Sequence, residues 1–235
     1  MKVLDASIVI PAYNESSSIE KTLSLLSELE GIEFEVLVVV DSANDSTIEA
    51  VKKVKIKPKK CQVLTQTYGR GPANAIRYGM DNSKSDCVVV MMADGSDDAR
   101  AIPDLVSLVS RGVVVACASR YMSGGQQIGG PRFKKFLSKT AGSILYLLAG
   151  VGTHDPTNSF KAYSRSFIQE VGIESRSGFE IGIELVAKAH RRRYPIAEIA
   201  TIWLDRTAGE TNFQLRKWFP KYFKWFRYSF GPIIK

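Results

Sequence analysis

Val88-Val89-Val90-Met91-Met92-Ala93-Asp94-Gly95-Ser96-Asp97-Asp98 sets an unbroken apolar run directly against three acids within five positions. An apolar run of that length, closed by turn residues, predicts a strand buried on both faces. Acids crowded at its C-terminal end repel one another and cost desolvation, and a divalent cation with oxygen ligands is one reason to tolerate them. Parallel α/β sheets bind ligands at that end of their strands. The structural alternative is that Asp97 and Asp98 cap a helix beginning near Ala101 while Asp94 closes a turn.

The flanking segments repeat the pattern. Ser7-Ile8-Val9-Ile10-Pro11 predicts a buried strand ended by Pro11, which has no amide donor. Ser17 and Glu20 have capping-box spacing, and Ile19, Leu23, Leu26 and Leu29 form a helical stripe. Glu35–Val40 predicts a second strand ending at Asp41, with Ser46 and Glu49 opening the helix after it. Cys61–Thr65 predicts a third strand. The turn Gly69-Arg70-Gly71-Pro72 feeds a helix over 73–80, a helix over 101–110 follows the 88–92 strand, and 113–119 is the fifth strand. Nearly continuous apolar strands alternating with helices predict a parallel sheet covered on both faces.

Composition bounds the partners. The chain has 235 residues, enough for one large α/β domain. Its net charge of +8 favours an anionic partner. Cys61, Cys87 and Cys117 sit in apolar runs without C-x-x-C spacing and predict buried thiols in a reducing compartment. Asp5 interrupts the opening residues, predicting no secretory leader, and no apolar run reaches the roughly 20 residues of a membrane span. Two segments combine basic and apolar residues: 132–149, basic first and then apolar, and Trp218–Tyr228, where aromatics interleave with Lys and Arg. Both predict amphipathic helices lying on an anionic membrane surface. Core packing for the first and stacking on single-stranded nucleic acid for the second are the alternatives. Arg191-Arg192-Arg193 predicts a solvated helix end that can lean on lipid headgroups. His154 and His190 have no zinc or triad spacing and receive no role. Neither a P-loop nor a G-x-G-x-x-G after a strand is present.

The strand-end loops carry Tyr13-Asn14-Glu15, Asp41, Gly69-Arg70-Gly71, Asp94 and Arg120. In a doubly wound sheet such loops converge on one crevice, and acids, a metal and arginines gathered there describe a nucleotide-diphosphate site. These residues, followed by Ser119-Arg120-Tyr121 with Gly124-Gly125, Asp155-Pro156-Thr157-Asn158-Ser159-Phe160-Lys161-Ala162-Tyr163, Gly178–Leu185 and Asp205–Thr211, occur in an order that resembles the family-2 glycosyltransferases, most closely their dolichyl-phosphate mannose synthase-like branch. The resemblance covers nearly the whole chain to Thr211 and rests on the ordered set, each motif alone being weak.

The resemblance implies a GT-A fold: a Rossmann-like, mostly parallel α/β sheet over 1–211, with a basic-aromatic amphipathic segment over 212–235. It implies an inverting transferase that moves a hexose from a nucleotide-diphosphate sugar to a polyprenyl phosphate, using Mg2+ or Mn2+. The enzyme would be cytoplasmic and peripherally attached to the cytoplasmic membrane face, with no nucleic acid expected as partner. Pro11, Tyr13, Glu15, Asp41 and Arg70 match nucleotide-binding positions. Asp94 matches the second acid of the family's D-x-D motif and Ser96 a neighbouring polar position, with Asp97 a further metal candidate. Arg120 and Arg132 match arginines facing phosphate, and Arg206 matches a loop near the acceptor. Two positions depart from the pattern: Met92 stands where the first D-x-D acid belongs, and Gly209-Glu210-Thr211-Asn212 lacks the usual Lys. A hydroxyl acceptor would need a base, for which Asp155 and Glu180 are the candidates, whereas Glu184, one turn further on, reads as a surface or capping residue. The alternatives are a family-2 transferase with a hydroxyl acceptor and a non-catalytic nucleotide- or membrane-binding relative, the latter motivated by Met92.

Overall fold

The central apolar runs become strands because apolar side chains on both faces leave no polar side to expose, whereas the outer run 61–65 exposes Gln62 and Thr65. The strands are β1 (Ala6–Ala12), β2 (Phe34–Val40), β3 (Cys61–Thr65), β4 (Cys87–Val90) and β5 (Val115–Ser119). The structure, a computed structural model, describes residues 4–58, 60–176, 178–205 and 215–234, and within 215–218 the backbone alone. Between the strands lie α1 (Ile19–Ser27), α2 (Ser46–Lys53), α3 (Pro72–Asp81) and α4 (Ile102–Ser110), the last entered through a 3-10 turn at Ala99–Ala101. Then follow β6 (Gln126–Ile128), α5 (Arg132–Ile144) with a π-helical turn at Leu145–Ala149, β7 (Lys161–Ser164), α6 (Arg165–Val171), α7 (Ile181–Arg191), β8 (Ile196–Ala200), β9 (Ile202–Leu204) and α8 (Leu215–Tyr228).

The main sheet runs β3-β2-β1-β4-β7-β5-β8, and β6 pairs with β9 in a small parallel ribbon. The sheet is mostly parallel, as expected, with β7 antiparallel to both β4 and β5. The chain reaches β7 through a loop whose Asp155 binds the backbone of Arg120, just past the C-terminal end of β5. It therefore enters the sheet from the C-terminal end of the parallel strands and runs backwards. One core layer packs α1, α2 and α4 on one face (Leu23, Val38, Val89, Leu105), and the other packs α3, α7 and Trp225 of α8 on the opposite face (Ile76, Val88, Leu185).

Several local expectations shift. Pro11 does not end β1 but lies within it, opposite Val39. Like Val9, which accepts from Met91 N, Pro11 faces the β4 side, and the β1–β4 ladder stops at Val9↔Val90. Its missing donor thus falls where no ladder partner stands. Neither capping box forms. The N-cap of α1 is Ser18, whose hydroxyl donates to Glu15 Oε2 at 2.6 Å, and the N-cap of α2 is Asp45, which accepts from Thr47 N at 2.8 Å. Glu184 is fully buried, not a surface residue: it accepts from Glu174 N, Ser175 N and Lys188 Nζ and so fastens the 174–175 loop to α7. Cys87 and Cys117 are buried, and Cys61 is half-buried at the outer strand.

Candidate active site

Strand β4 ends in a turn that gathers the acids. Asp94 Oδ1 accepts from Ser96 N at 3.1 Å across Gly95, whose φ of 68° a side chain would resist. Thr22 Oγ1 fastens this turn to α1 through Ala93 O at 3.0 Å, and Leu204 N binds Ser96 O. Asp97 turns back so that Oδ2 accepts from Met92 N at 2.9 Å. Asp98 caps the 3-10 turn through Arg100 N, so the structural alternative holds for that residue and not for Asp97.

Asp94, Ser96 and Asp97 are 9%, 2% and 4% exposed. Two of their buried oxygens, Ser96 Oγ and Asp97 Oδ1, have no hydrogen-bond partner. Burial, with the Asp94 charge second, pushes the Asp97 carboxyl up to about 7. Orphaned hard oxygens beside a second carboxylate fit a divalent cation of the Mg2+ or Mn2+ kind. Among the described residues no three acidic, His or Cys groups converge as a metal site; what this turn offers is two carboxylates and a hydroxyl. Met92 at the missing position offers only a thioether.

Arg120, at the end of β5, lies beside this turn. Its Nε and Nη2 form a bidentate pair with Asp155, at 2.7 Å to Oδ2 and 2.9 Å to Oδ1, and its backbone N–H also donates to Oδ2. Burial lowers the guanidinium's basicity but the Asp155 charge outweighs it, so Arg120 titrates above its usual range. Asp155 is fully buried; burial raises its carboxyl, and the opposing charge and hydrogen bonds of Arg120 hold it below the ordinary range. Both oxygens of Asp155, the base candidate, are thus taken up by Arg120, whose side chain they hold in place. Lys161, also fully buried, donates to the carbonyls of Pro156 and Asn158 and closes the same turn. A buried lysine has no signature in local sequence, and its role here was not legible there. Glu180 is 3% exposed with Oε2 unpartnered.

The expected nucleotide-binding residues share the C-terminal edge of β1 and β2. Tyr13 is 56% exposed. Asn14, in the left-handed region at φ 54°, donates its N–H to Asp45, and Glu15 N donates to Thr47 Oγ1 at 2.9 Å. Asp41 accepts from Gln66 Nε2 at 2.8 Å and Gly71 N at 3.0 Å, so it shapes the loop that presents exposed Arg70. Arg132 starts α5, exposed and apart from the residues lining the cavity described next. Arg206 and Thr207–Thr211 lie outside the described residues, as do the contacts of Trp218.

From Asp94 and Arg120 a cavity of about 660 Å³ extends between α5 and α8, where Leu137, Ile144, Phe223 and Phe226 line it. Asp205, which opens the Asp205–Thr211 motif, also faces it, as do Lys134, Lys135 and Trp203, which were not singled out from sequence. Trp225 is 2% exposed and packs α8 onto α7, with Lys224 bound to Glu174 at 2.8 Å. No described helix is long and apolar enough to cross a membrane.

Residues 7–172 match the family described as Glycosyl transferase family 2. The chain is 29% identical over 213 residues to a dolichol-phosphate mannosyltransferase of Pyrococcus furiosus, a match covering 89% of this chain and 59% of that protein. It is 27% identical over 208 residues to a polyprenol monophosphomannose synthase of Mycolicibacterium smegmatis, covering 86% and 78%. Among solved structures, glucosyl-3-phosphoglycerate synthase of Mycobacterium tuberculosis, in complex with Mn2+, UDP-glucose and phosphoglyceric acid, superposes with a TM-score of 0.70 at 19% identity, covering 97% of this chain and 80% of that one. At that identity the likeness shows the fold, which is GT-A, as the sequence resemblance implied.

Proposed function

We propose, for a chain that belongs to glycosyl transferase family 2, that it transfers a hexosyl group from a nucleotide-diphosphate sugar to a polyprenyl phosphate, with inversion, at the cytoplasmic face of a membrane. The observation that carries this reading is the lining of the 660 Å³ cavity, which joins Asp94 and Arg120 to apolar side chains of α5 and α8. An amphiphile with a phosphate head and an isoprenoid tail matches both parts of that lining. The two curated relatives, named for dolichol and polyprenol phosphate, support the same acceptor class.

The chemistry asks for no base. A phosphomonoester is mostly ionised at neutral pH, its second pKa being about 6, and can attack an anomeric carbon directly. The protein's task is to align the reactants and neutralise the departing diphosphate. Arg120 suits that task because Asp155 fixes its fork before substrate arrives. Asp94, Ser96 and Asp97 would hold a Mg2+ or Mn2+ ion, which supplies further charge stabilisation for the leaving group. Tyr13, Glu15, Asp41 and Arg70 would receive the nucleoside along the β1–β2 edge. The exposed apolar side chains Phe133, Phe136, Leu147 and Leu148 after β6, with Phe219 and Phe223 of α8, would lie against the membrane. A hydroxyl acceptor is the second reading, favoured by the unpartnered oxygen of Glu180.

The test supplies purified protein with a panel of nucleotide-diphosphate sugars and Mn2+. Polyprenyl phosphate, phosphoglycerate and soluble glycans are compared as acceptors, and the product anomer is read by NMR. Glycosylated lipid phosphate of inverted configuration is expected. Transfer to a soluble acceptor with none to lipid phosphate overturns the reading.

A further inference from the structure

At the end of the sheet away from the acidic crevice, where α7 ends and β8 begins, lies a second cavity of about 550 Å³. Its lining includes His190, Arg191 and Arg193 and no acid among the described residues. Its rim carries Leu148, Phe230 and Ile233, 74%, 47% and 49% exposed.

Arg191 is built into this place. Its guanidinium lies 4.3 Å from the Tyr228 ring centroid, and Nε donates to Pro232 O at 2.7 Å. The guanidinium packs so closely on Gly231 that a Cβ there would stand 2.6 Å from Arg191 Cζ and displace it. Arg193 has φ 54°, a left-handed conformation that a non-glycine residue adopts at a cost, and its side chain bonds to no described residue. Lys188, one turn before Arg192 on α7, is paired with Glu184 and Glu174. The nearby Tyr194 hydroxyl donates to Glu170, and the Ser229 hydroxyl to Trp225 O. Complementing the dipole of α7 accounts for basic residues in its last turn. It does not account for Arg193, which lies beyond the helix, nor for the apolar rim.

A rigid arginine and a second one with no partner among the described residues, under exposed Leu and Phe side chains, match the two ends of a phospholipid. We propose that this cavity takes the phosphate headgroup of an anionic membrane lipid, with acyl chains over Leu148, Phe230 and Ile233. The site is separate from the acceptor cavity, and it rests on the proposed membrane location only for the source of the phosphate.

The test is co-sedimentation of the full chain with phosphatidylcholine vesicles, with and without phosphatidylglycerol. Arg193→Asn is the variant, because Asn tolerates the left-handed conformation. Lys53→Asn, an exposed change of equal charge on α2, is the control. Wild type is expected to prefer phosphatidylglycerol vesicles, and Arg193→Asn to bind them about fivefold more weakly while binding phosphatidylcholine as before. Equal binding of both vesicle types by wild type, or equal loss in the two variants, overturns the headgroup site and leaves the membrane location standing. No binding to any vesicle sinks the membrane location as well. If soluble glycerol 3-phosphate raises the melting temperature through Arg193 while vesicle binding ignores it, the lipid assignment is overturned.

Discussion

Asp97→Asn separates the electrostatic strain of the acidic turn from its use. Burial and the Asp94 charge raise the Asp97 carboxyl from 3.8 to about 7. The folded protein therefore keeps a proton there that the unfolded chain loses. The stability this group contributes is fully present below pH ~4 and is lost as pH rises to about 7. A shift of about three units at 1.36 kcal/mol each sets a ceiling of about 4 kcal/mol; relaxation around the charge brings the expected cost nearer 2 kcal/mol. Asparagine keeps an acceptor for Met92 N–H and cannot ionise. The assay is urea unfolding of both proteins at pH 5 and pH 8 in chelator, read as the difference between them, in which contributions common to both proteins, such as that of Asp155, cancel. The variant should already be ahead by somewhat under ~1 kcal/mol at pH 5, where about a third of the contribution is gone, and more stable by about 2 kcal/mol at pH 8. Adding Mn2+ at about 100 times its dissociation constant should stabilise wild type by about 2.7 kcal/mol and the variant by much less. Parallel pH profiles would refute the buried-charge argument, and equal stabilisation by Mn2+ would remove Asp97 from the ligand set.

Asp155→Asn strips the buried Arg120 of its partner and should destabilise by about 3–5 kcal/mol in urea unfolding. Because the Asp155 carboxyl is held low, its contribution is present above pH ~4 and is lost as pH falls further, so the variant should show a shallower acid limb than wild type. Trp225→Ala removes the side chain that packs α8 onto α7 and should cost about 3–5 kcal/mol, with faster amide exchange in α8 than in α1. Phe223→Asp, in the wall of the larger cavity, should raise KM for polyprenyl phosphate while leaving nucleotide-sugar binding, measured by calorimetry, within about twofold. Gly142→Ala sets a methyl group against the His154 carbonyl, pushes α5 off the 154–156 turn and should lower Tm by several degrees.

Local chemistry determined much of this protein. The runs 7–11, 35–40 and 88–91 declared buried strands because period and composition are properties of neighbouring residues. The stripe Ile19, Leu23, Leu26 declared the buried face of α1. The order of motifs carried the family. Helix starts were misread by a residue or so, because Ser17 and Ser46 compete with Ser18 and Asp45 for the cap, and only the loop path decides between them. Tertiary structure decided what depends on partners far apart in the chain. Asp155 reads alone as an available carboxylate; a guanidinium 35 positions away makes it a fixed counter-ion. Glu184 reads as a surface acid and is buried because two loop amides and Lys188 satisfy it. The reversal of β7 and the cavity between α5 and α8 follow from where the chain re-enters the sheet, and no local periodicity encodes that direction.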